Sequence, residues 1–494
     1  MTAQARLDTV PTLARMRVAK AVSSPPAPSH RLITVALAVA CCMHGFAASS
    51  IATAVPAIGH ALHAGVSGGE APVTAFFLGA SLGVIAAGRV ADVLGARRLL
   101  LVGLGVVLVA SLGSGLVVTL PELITARLII GIGTASLYPA AIRLLAETNT
   151  ARGLAITAGL PAIVAASELM FGLGPAVGGV LVGSCGWRVA CTVLALPALA
   201  AIMLVRMAFP AAAVTKPHPV AAPGAAPRRP SVRDHVAALD LGGLLLAIAL
   251  AATAAAVLVV PVRWNSLTVV VPAALLVLVA ALALHCHRRR DFNPAIDLTV
   301  LCSRAILLGL GRTVLVYVGV YAVVYGLPLW LAEQGWTAEQ SGAALLPIAV
   351  VSVGAVVLCQ RAVRTRGPVP SLLAGACALA LAGAGLLAVP AFPMSATAGA
   401  VLGVLGCLGV TCGAANLATQ HGSVAASPLR RAGGVASWSR LVQFAAGQGT
   451  TVVVVQALPG TDTGLRVLAV GVVAVGVLLA ATAAISPTLQ GESA

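Results

Sequence analysis

Glu168 is the one carboxylate placed deep inside any of the long apolar runs of this chain, and two other ionisable residues, His44 and Arg127, interrupt runs at comparable depth. An arginine at mid-membrane depth costs about 2.5–3.5 kcal/mol on insertion scales, so such a group needs a cavity or a partner. An apolar surround also penalises the charged form of a carboxylate or a histidine. Glu168 and His44 are therefore candidates for taking up and releasing a proton, and Arg127 is a buried charge that should face a cavity or a partner such as these. Arg312 and Arg440 also fall within apolar runs, about two helical turns from one end, where either could meet Glu168 or an anionic group on a bound molecule. Tyr317, Tyr321 and Tyr325 follow one another at i, i+4 and i+8, which puts three rings on one helix face. A stripe of amphipathic rings suits flat or cationic organic molecules. Asn416, Gln443 and Gln448 are further polar candidates for a cavity wall. Each has a structural rival: an ion pair with an arginine for Glu168, packing for His44 and the tyrosines, and snorkelling to an interface for the arginines.

The elements that position these residues follow from composition. The 494 residues are 59% hydrophobic and 9% charged, with a mean hydropathy of +1.03, more apolar surface than a water-soluble domain can bury. Apolar runs of about 20 residues recur, long enough to span a bilayer as helices. The runs are continuous rather than alternating, which favours helices over a barrel. Fourteen spans are expected, near 31–58, 71–91, 98–118, 121–143, 152–183, 187–208, 238–261, 267–286, 304–331, 339–360, 370–390, 395–418, 432–457 and 464–486. With both termini in the cytoplasm, 24 of the 30 basic residues fall on the cytoplasmic side, as the positive-inside rule requires. The net charge of +16 thus reflects topology rather than nucleic-acid binding. No Cys-x-x-Cys pair, cofactor motif, nucleophile–base cluster or ATP-binding loop is present, so neither a metal, a cofactor nor an enzymatic activity is expected. The N-terminal tail lacks the apolar core of a cleavable signal.

The order of segments is a tail (1–30), a six-helix bundle (31–208), a Pro/Ala/Arg-rich linker (209–237), two additional central spans (238–288), a second six-helix bundle (289–486) and a short tail (487–494). Arg361 to Gly367, followed by Leu372 and Gly375, overlays Arg89 to Gly95, Leu100 and Gly103 at a constant offset of 272 residues. That echo points to two repeated bundles.

Gly88, Asp92, Gly95, Arg97 and Arg98 form a charged turn between spans 2 and 3 with the spacing Gly-x-x-x-Asp-x-x-x-x-Arg-Arg. Span 5 carries Gly174-Pro175-Ala176-Val177-Gly178-Gly179, and span 4 carries Arg127 with Gly131 four residues on. Together with Leu345-Leu346-Pro347 and Gly433-Gly434, these motifs resemble the major facilitator superfamily of transporters, in its fourteen-span drug:proton antiporter branch. The resemblance covers about residues 31 to 486. It implies a conformational latch at 88–98, an antiporter motif at 174–179, proton movement associated with Arg127, and residence in a bacterial cytoplasmic membrane. It further implies export of a drug or other small organic molecule in exchange for protons. The span-1 pattern departs from that branch: its usual Asp is replaced by Ala47, with His44 one turn earlier. A uniporter or importer on the same fold, and a non-transporting membrane sensor, are the competing expectations.

Overall fold

The computed structural model describes residues 28–210, 303–392, 394–425, 432–457 and 461–484, with scattered positions between 242 and 288. Apart from those positions, the two central spans expected within 238–288, the linker and the tails lie outside the described residues.

Every regular element among the described residues is helical. In the first half, α1 (His30–Ser49), a single 3-10 turn (Ala52–Ala54) and α2 (Val55–Ala61) make the first crossing. They are followed by α3 (Gly65–Leu94), α4 (Ala96–Ser114), α5 and α6 (Leu120–Ala135 and Leu137–Ala151), α7 (Leu160–Cys185), and α8 and α9 (Trp187–Thr192 and Ala195–Ala208). The second half comprises α10 (Arg304–Glu333), α11 and α12 (Ala338–Ala344 and Leu346–Arg366), α13 (Val369–Ala388), α14 (Met394–Val410), a π-helical turn (Thr411–Ala415), α15 (Asn416–Ala425), α16 (Ala432–Ala457) and α17 (Asp462–Ala484). Ten of the described helical segments are long and apolar enough to cross a membrane, and a shorter apolar stretch, Ala71–Ala87, lies within α3. Large apolar side chains such as Leu116, Leu196, Val350 and Leu358 are exposed, as a lipid-facing surface requires.

Several expected edges move, two of them at breaks in the helix. The first crossing is broken after Ser49 rather than running unbroken to residue 58. The fifth starts at Leu160 and not at 152, because residues 152–159 form a turn. There Asn149 Nδ2 donates to the carbonyls of Ile156 and Ala158 at 3.2 and 2.8 Å, and Gly159 takes a left-handed backbone, φ 86°. Apolar composition alone does not register such a turn. The 272-residue echo has a structural counterpart. Gly95 and Gly367 both have positive φ, 86° and 78°, and each joins two consecutive helices at a sharp corner that a side chain would strain.

Packing inside each half depends on small residues. A Cβ on Gly79 would strike the backbone of Leu128, and one on Gly131 would strike the backbone of Phe76, so α3 and α5 touch main chain to main chain. In the second half, Gly375 lies against Ala415 and Gly413 against Ser352. The halves meet where α7 packs on α11 and α12, and where α16 packs on α3 and α6. Overpacking of such a seam costs about 1–3 kcal/mol. Gly131→Val is accordingly expected to lower the thermal unfolding midpoint of the purified protein by several degrees. Gly105→Ala, at a position with open space around it, should leave that midpoint unchanged or slightly higher.

Candidate functional site between the two halves

Glu168 on α7 is 4% exposed, and its partners come from the other half of the molecule. Asn416 Nδ2 donates to Glu168 Oε1 at 2.5 Å, and the Tyr317 hydroxyl donates to the same oxygen at 3.5 Å. Among the described residues no cation comes within ion-pair distance of the carboxylate. Arg440 of α16 is close enough to act on it electrostatically. Around these groups lies an enclosed cavity, lined in part by His44, Glu168, Tyr317, Tyr321, Arg440 and Gln443, with room for about one water molecule. This is an occluded arrangement.

His44 occupies the opposite wall. Its Nδ1 lies 3.3 Å from Thr134 Oγ1, and its ring is held between Phe76 and Phe444 at centroid distances of 5.2 and 4.4 Å. Arg127 is 2% exposed and does not reach Glu168. Its Nη2 donates at 2.6 Å to the carbonyl of Ala47, and its guanidinium lies 4.9 Å from the Phe76 ring centroid. The arginine therefore meets span 1 through the backbone of the residue where the resembling branch carries a carboxylate. Glu168 and His44 share one cavity, with Arg127 behind the histidine.

Tyr317, Tyr321 and Tyr325 form a continuous stack, with successive centroids 5.7 and 6.0 Å apart. The stack lies at the interface between the halves: Tyr321 meets Phe77 and Phe171 edge-on at 5.5 and 5.7 Å, and Tyr325 donates to the Ala48 carbonyl at 3.1 Å. Arg312 stands apart from the cavity. It is half-buried at the α10–α17 seam, where its Nη2 donates to the Thr482 carbonyl at 2.6 Å.

Several contributors carried no clear signal in the sequence. Tyr138 of α6 donates to Gln420 Oε1 at 2.9 Å, tying the halves together, while Arg440 lies over the Tyr138 ring at 3.8 Å. Gln420 in turn reaches Asn416 Oδ1 at 3.4 Å and Ser439 at 3.2 Å. Gln420 falls beyond the expected end of its span at 418, which removed it from consideration; Tyr138 is a lone aromatic with no periodic companion.

Gly174 and Gly178 of the span-5 motif press against Ser49 and Ser50 of span 1, and Thr53 Oγ1 donates to the Pro175 carbonyl at 3.4 Å. The other face of the same helix receives the second half, with Gly172 against Ala349 and Gly342 against Pro175. At the charged turn, Arg97 Nε donates to the Phe209 carbonyl at 2.5 Å and Arg98 is exposed. The side chains of Arg89 and Asp92 lie outside the described residues.

A family model described as Major Facilitator Superfamily matches residues 37–450. The chain belongs to that superfamily. Multidrug resistance protein Stp of Mycobacterium tuberculosis is 26% identical over 337 residues, which cover 66% of this chain and 58% of that protein. The Methylenomycin A resistance protein of Streptomyces coelicolor is 35% identical over 185 residues, 35% of this chain and 38% of that one. The match thus spans less than two thirds of either relative. Among solved structures, the proton:xylose symporter XylE bound to 6-bromo-6-deoxy-D-glucose aligns with a TM-score of 0.60 at 16% identity, covering 91% of this chain and 94% of XylE. At that identity the likeness is one of fold. This is a multi-pass membrane protein of the major facilitator type, similar in sequence to proteins named for multidrug and antibiotic resistance.

Tyr138 to Gln420 is one of the polar links between the halves, so its loss should shift closure measurably. A typical hydrogen bond is worth about 0.5–1.5 kcal/mol net, which converts to roughly a 2- to 12-fold change in the closed population. Tyr138→Phe should therefore raise the rate of alkylation of Cys412, a buried thiol on the π-helical turn beside Glu168, by a factor in that range. Site-resolved mass spectrometry after N-ethylmaleimide treatment measures it.

Proposed function

We propose that this transporter exports an organic small molecule across the cytoplasmic membrane in exchange for protons, by alternating access about the central cavity. The observation that carries this reading is Glu168, a buried carboxylate in that cavity whose hydrogen-bond donors, Asn416 and Tyr317, belong to the opposite half. Burial and hydrogen bonding act on its charge in opposite senses. Since the donors leave when the halves part, the balance between those two effects changes with conformation, and proton binding becomes linked to the direction in which the cavity opens. His44 completes the proton-handling wall and Arg127 fixes span 1 behind it. The drug-resistance names of the relatives support an outward substrate flux.

In this reading the chain has fourteen spans with both termini in the cytoplasm, two six-helix bundles and two central spans between them. The loop containing Gly88, Asp92, Gly95, Arg97 and Arg98 acts as the latch of the cytoplasmic side. The span-5 motif Gly174, Pro175, Gly178 and Gly179 forms the close seam on which the bundles rock. The tyrosine stack, Asn416 and Gln443 contribute to the substrate surface. A second reading, facilitated movement without proton coupling, draws on Ala47, which stands where the branch has its span-1 carboxylate.

Proteoliposomes loaded with candidate dyes and antibiotics separate the two. An imposed pH gradient should accelerate flux in the wild type, and Glu168→Gln should abolish that acceleration while leaving gradient-independent exchange of substrate. Unchanged gradient-driven flux in the Gln variant would refute the carrier role. Equilibration indifferent to the gradient in the wild type would establish the uniporter.

A further inference from the structure

The central cavity holds unpartnered polar atoms, among them a guanidinium donor. Arg440 Nε, Tyr321 Oη and His44 Nε2 are buried without a hydrogen bond, and all three residues line the cavity. Tyr321 lies beside Gln443 but makes no well-formed hydrogen bond to it. A guanidinium is a donor only, whereas a phenol and a neutral imidazole can either donate or accept. Two of the acceptors are engaged: Glu168 Oε1 takes Asn416 and Tyr317, and Gln443 Oε1 takes an Arg440 Nη at 2.5 Å. Charge tells the same story. Among the described residues the buried charged side chains are Arg127, Arg440 and Glu168, two cations against one carboxylate. Unmade buried donors are costly, and a ligand that satisfies them recovers that cost.

We infer that the central site recognises a flat organic molecule through its oxygen acceptors (carbonyl, phenolate or carboxylate) and selects neutral or anionic molecules over organic cations. Once the halves part and the cavity widens, the acceptor edge meets Arg440 and the Tyr321 hydroxyl, while the ring system lies along the Tyr317–Tyr321 stack. An organic cation would add a third positive charge beside Arg127 and Arg440. This inference rests on the reading of the cavity as the transport site.

The test uses the full-length protein in lipid nanodiscs, titrated with fluorescein, a planar oxygen-bearing anion, and with ethidium, a planar cation, each followed by fluorescence anisotropy. Fluorescein is expected to bind about tenfold or more tightly than ethidium. Hydrogen bonds to charged groups are worth more than neutral ones, so Arg440→Gln should weaken fluorescein about tenfold or more and change ethidium by less than about twofold. Tyr321→Phe keeps the ring and should weaken fluorescein about threefold or more; it carries the test if Arg440→Gln does not fold. Tighter binding of ethidium, binding of neither dye, or equal losses for both dyes in the variants would overturn the inference. Transport separates it from the proposed function. If ethidium alone moves with a proton gradient, acceptor recognition fails and proton-linked export stands. If fluorescein binds as described while nothing moves with the gradient, recognition stands and proton coupling fails.

Discussion

The hydrogen bond from Asn416 to Glu168 joins the two halves of the molecule at the one buried carboxylate among the described residues. A charge at that depth requires donors, and here the donors belong to the other half. Closing the halves and satisfying the carboxylate are consequently one event. Charge-assisted hydrogen bonds are roughly twice as strong as neutral ones, so a proton on Glu168 weakens the tie that keeps the cavity shut. In the proposed antiport that relation would need no separate relay, because the oxygen that takes the proton is the one that holds the opposite bundle.

The rest of the architecture keeps this tie from being swamped. Within each half, helices touch backbone to backbone at Gly79, Gly131, Gly375 and Gly413, where extensive contact at short range makes each bundle stiff. Between the halves the links include single polar contacts, Tyr138 to Gln420, Tyr325 to Ala48 and Tyr317 to Glu168. Each is worth about 1 kcal/mol, small enough for a ligand or a proton to tip. The buried α7 serves both sides of the design. Gly174 and Gly178 bind it to span 1 of its own half, while Gly172 and Pro175 let α12 and α11 approach closely and withdraw without leaving large side chains behind.

Much of this was legible in the sequence because a bilayer imposes simple rules. Run lengths placed the described helices, and the 272-residue echo located Gly367 as the counterpart of Gly95 before either backbone angle was known. Glu168, His44, Tyr317, Tyr321, Asn416 and Gln443 stood out as polar or aromatic groups in apolar context, and the structure gathers them at one interface. The partners were less legible. Arg127 could be placed in depth but not in azimuth, and it faces the Ala47 carbonyl rather than the carboxylate. Arg312 met the same criterion of depth and turns to Thr482 instead. Composition fixes how far along the membrane normal a residue lies. Which neighbour it faces depends on helix rotation, and a helix apolar on all sides gives little periodic signal to read that from.

The π-helical turn at Thr411–Ala415 shows how much depends on that rotation. Each residue of an α-helix advances about 100°, so the single residue gained by a π-turn rotates everything after it by about that amount relative to an unbroken helix. Asn416 is the first residue after the turn, and Gln420 follows one turn later. Without the insertion neither would present the same face to α7 or α6. The turn is held where small residues and a hydroxyl allow it: Gly413 fits against Ser352, Ala415 against Gly375, and Thr411 Oγ1 donates to the Gly375 carbonyl at 3.0 Å. Gly375 is the echo of Gly103, which in the first half lies against Ser136 at the break between α5 and α6. Equivalent positions of the two halves thus accommodate an irregular turn in the helix packed against them. In the first half that turn precedes Tyr138, and in the second it precedes Asn416 and Gln420, the residues that carry the polar ties across the interface.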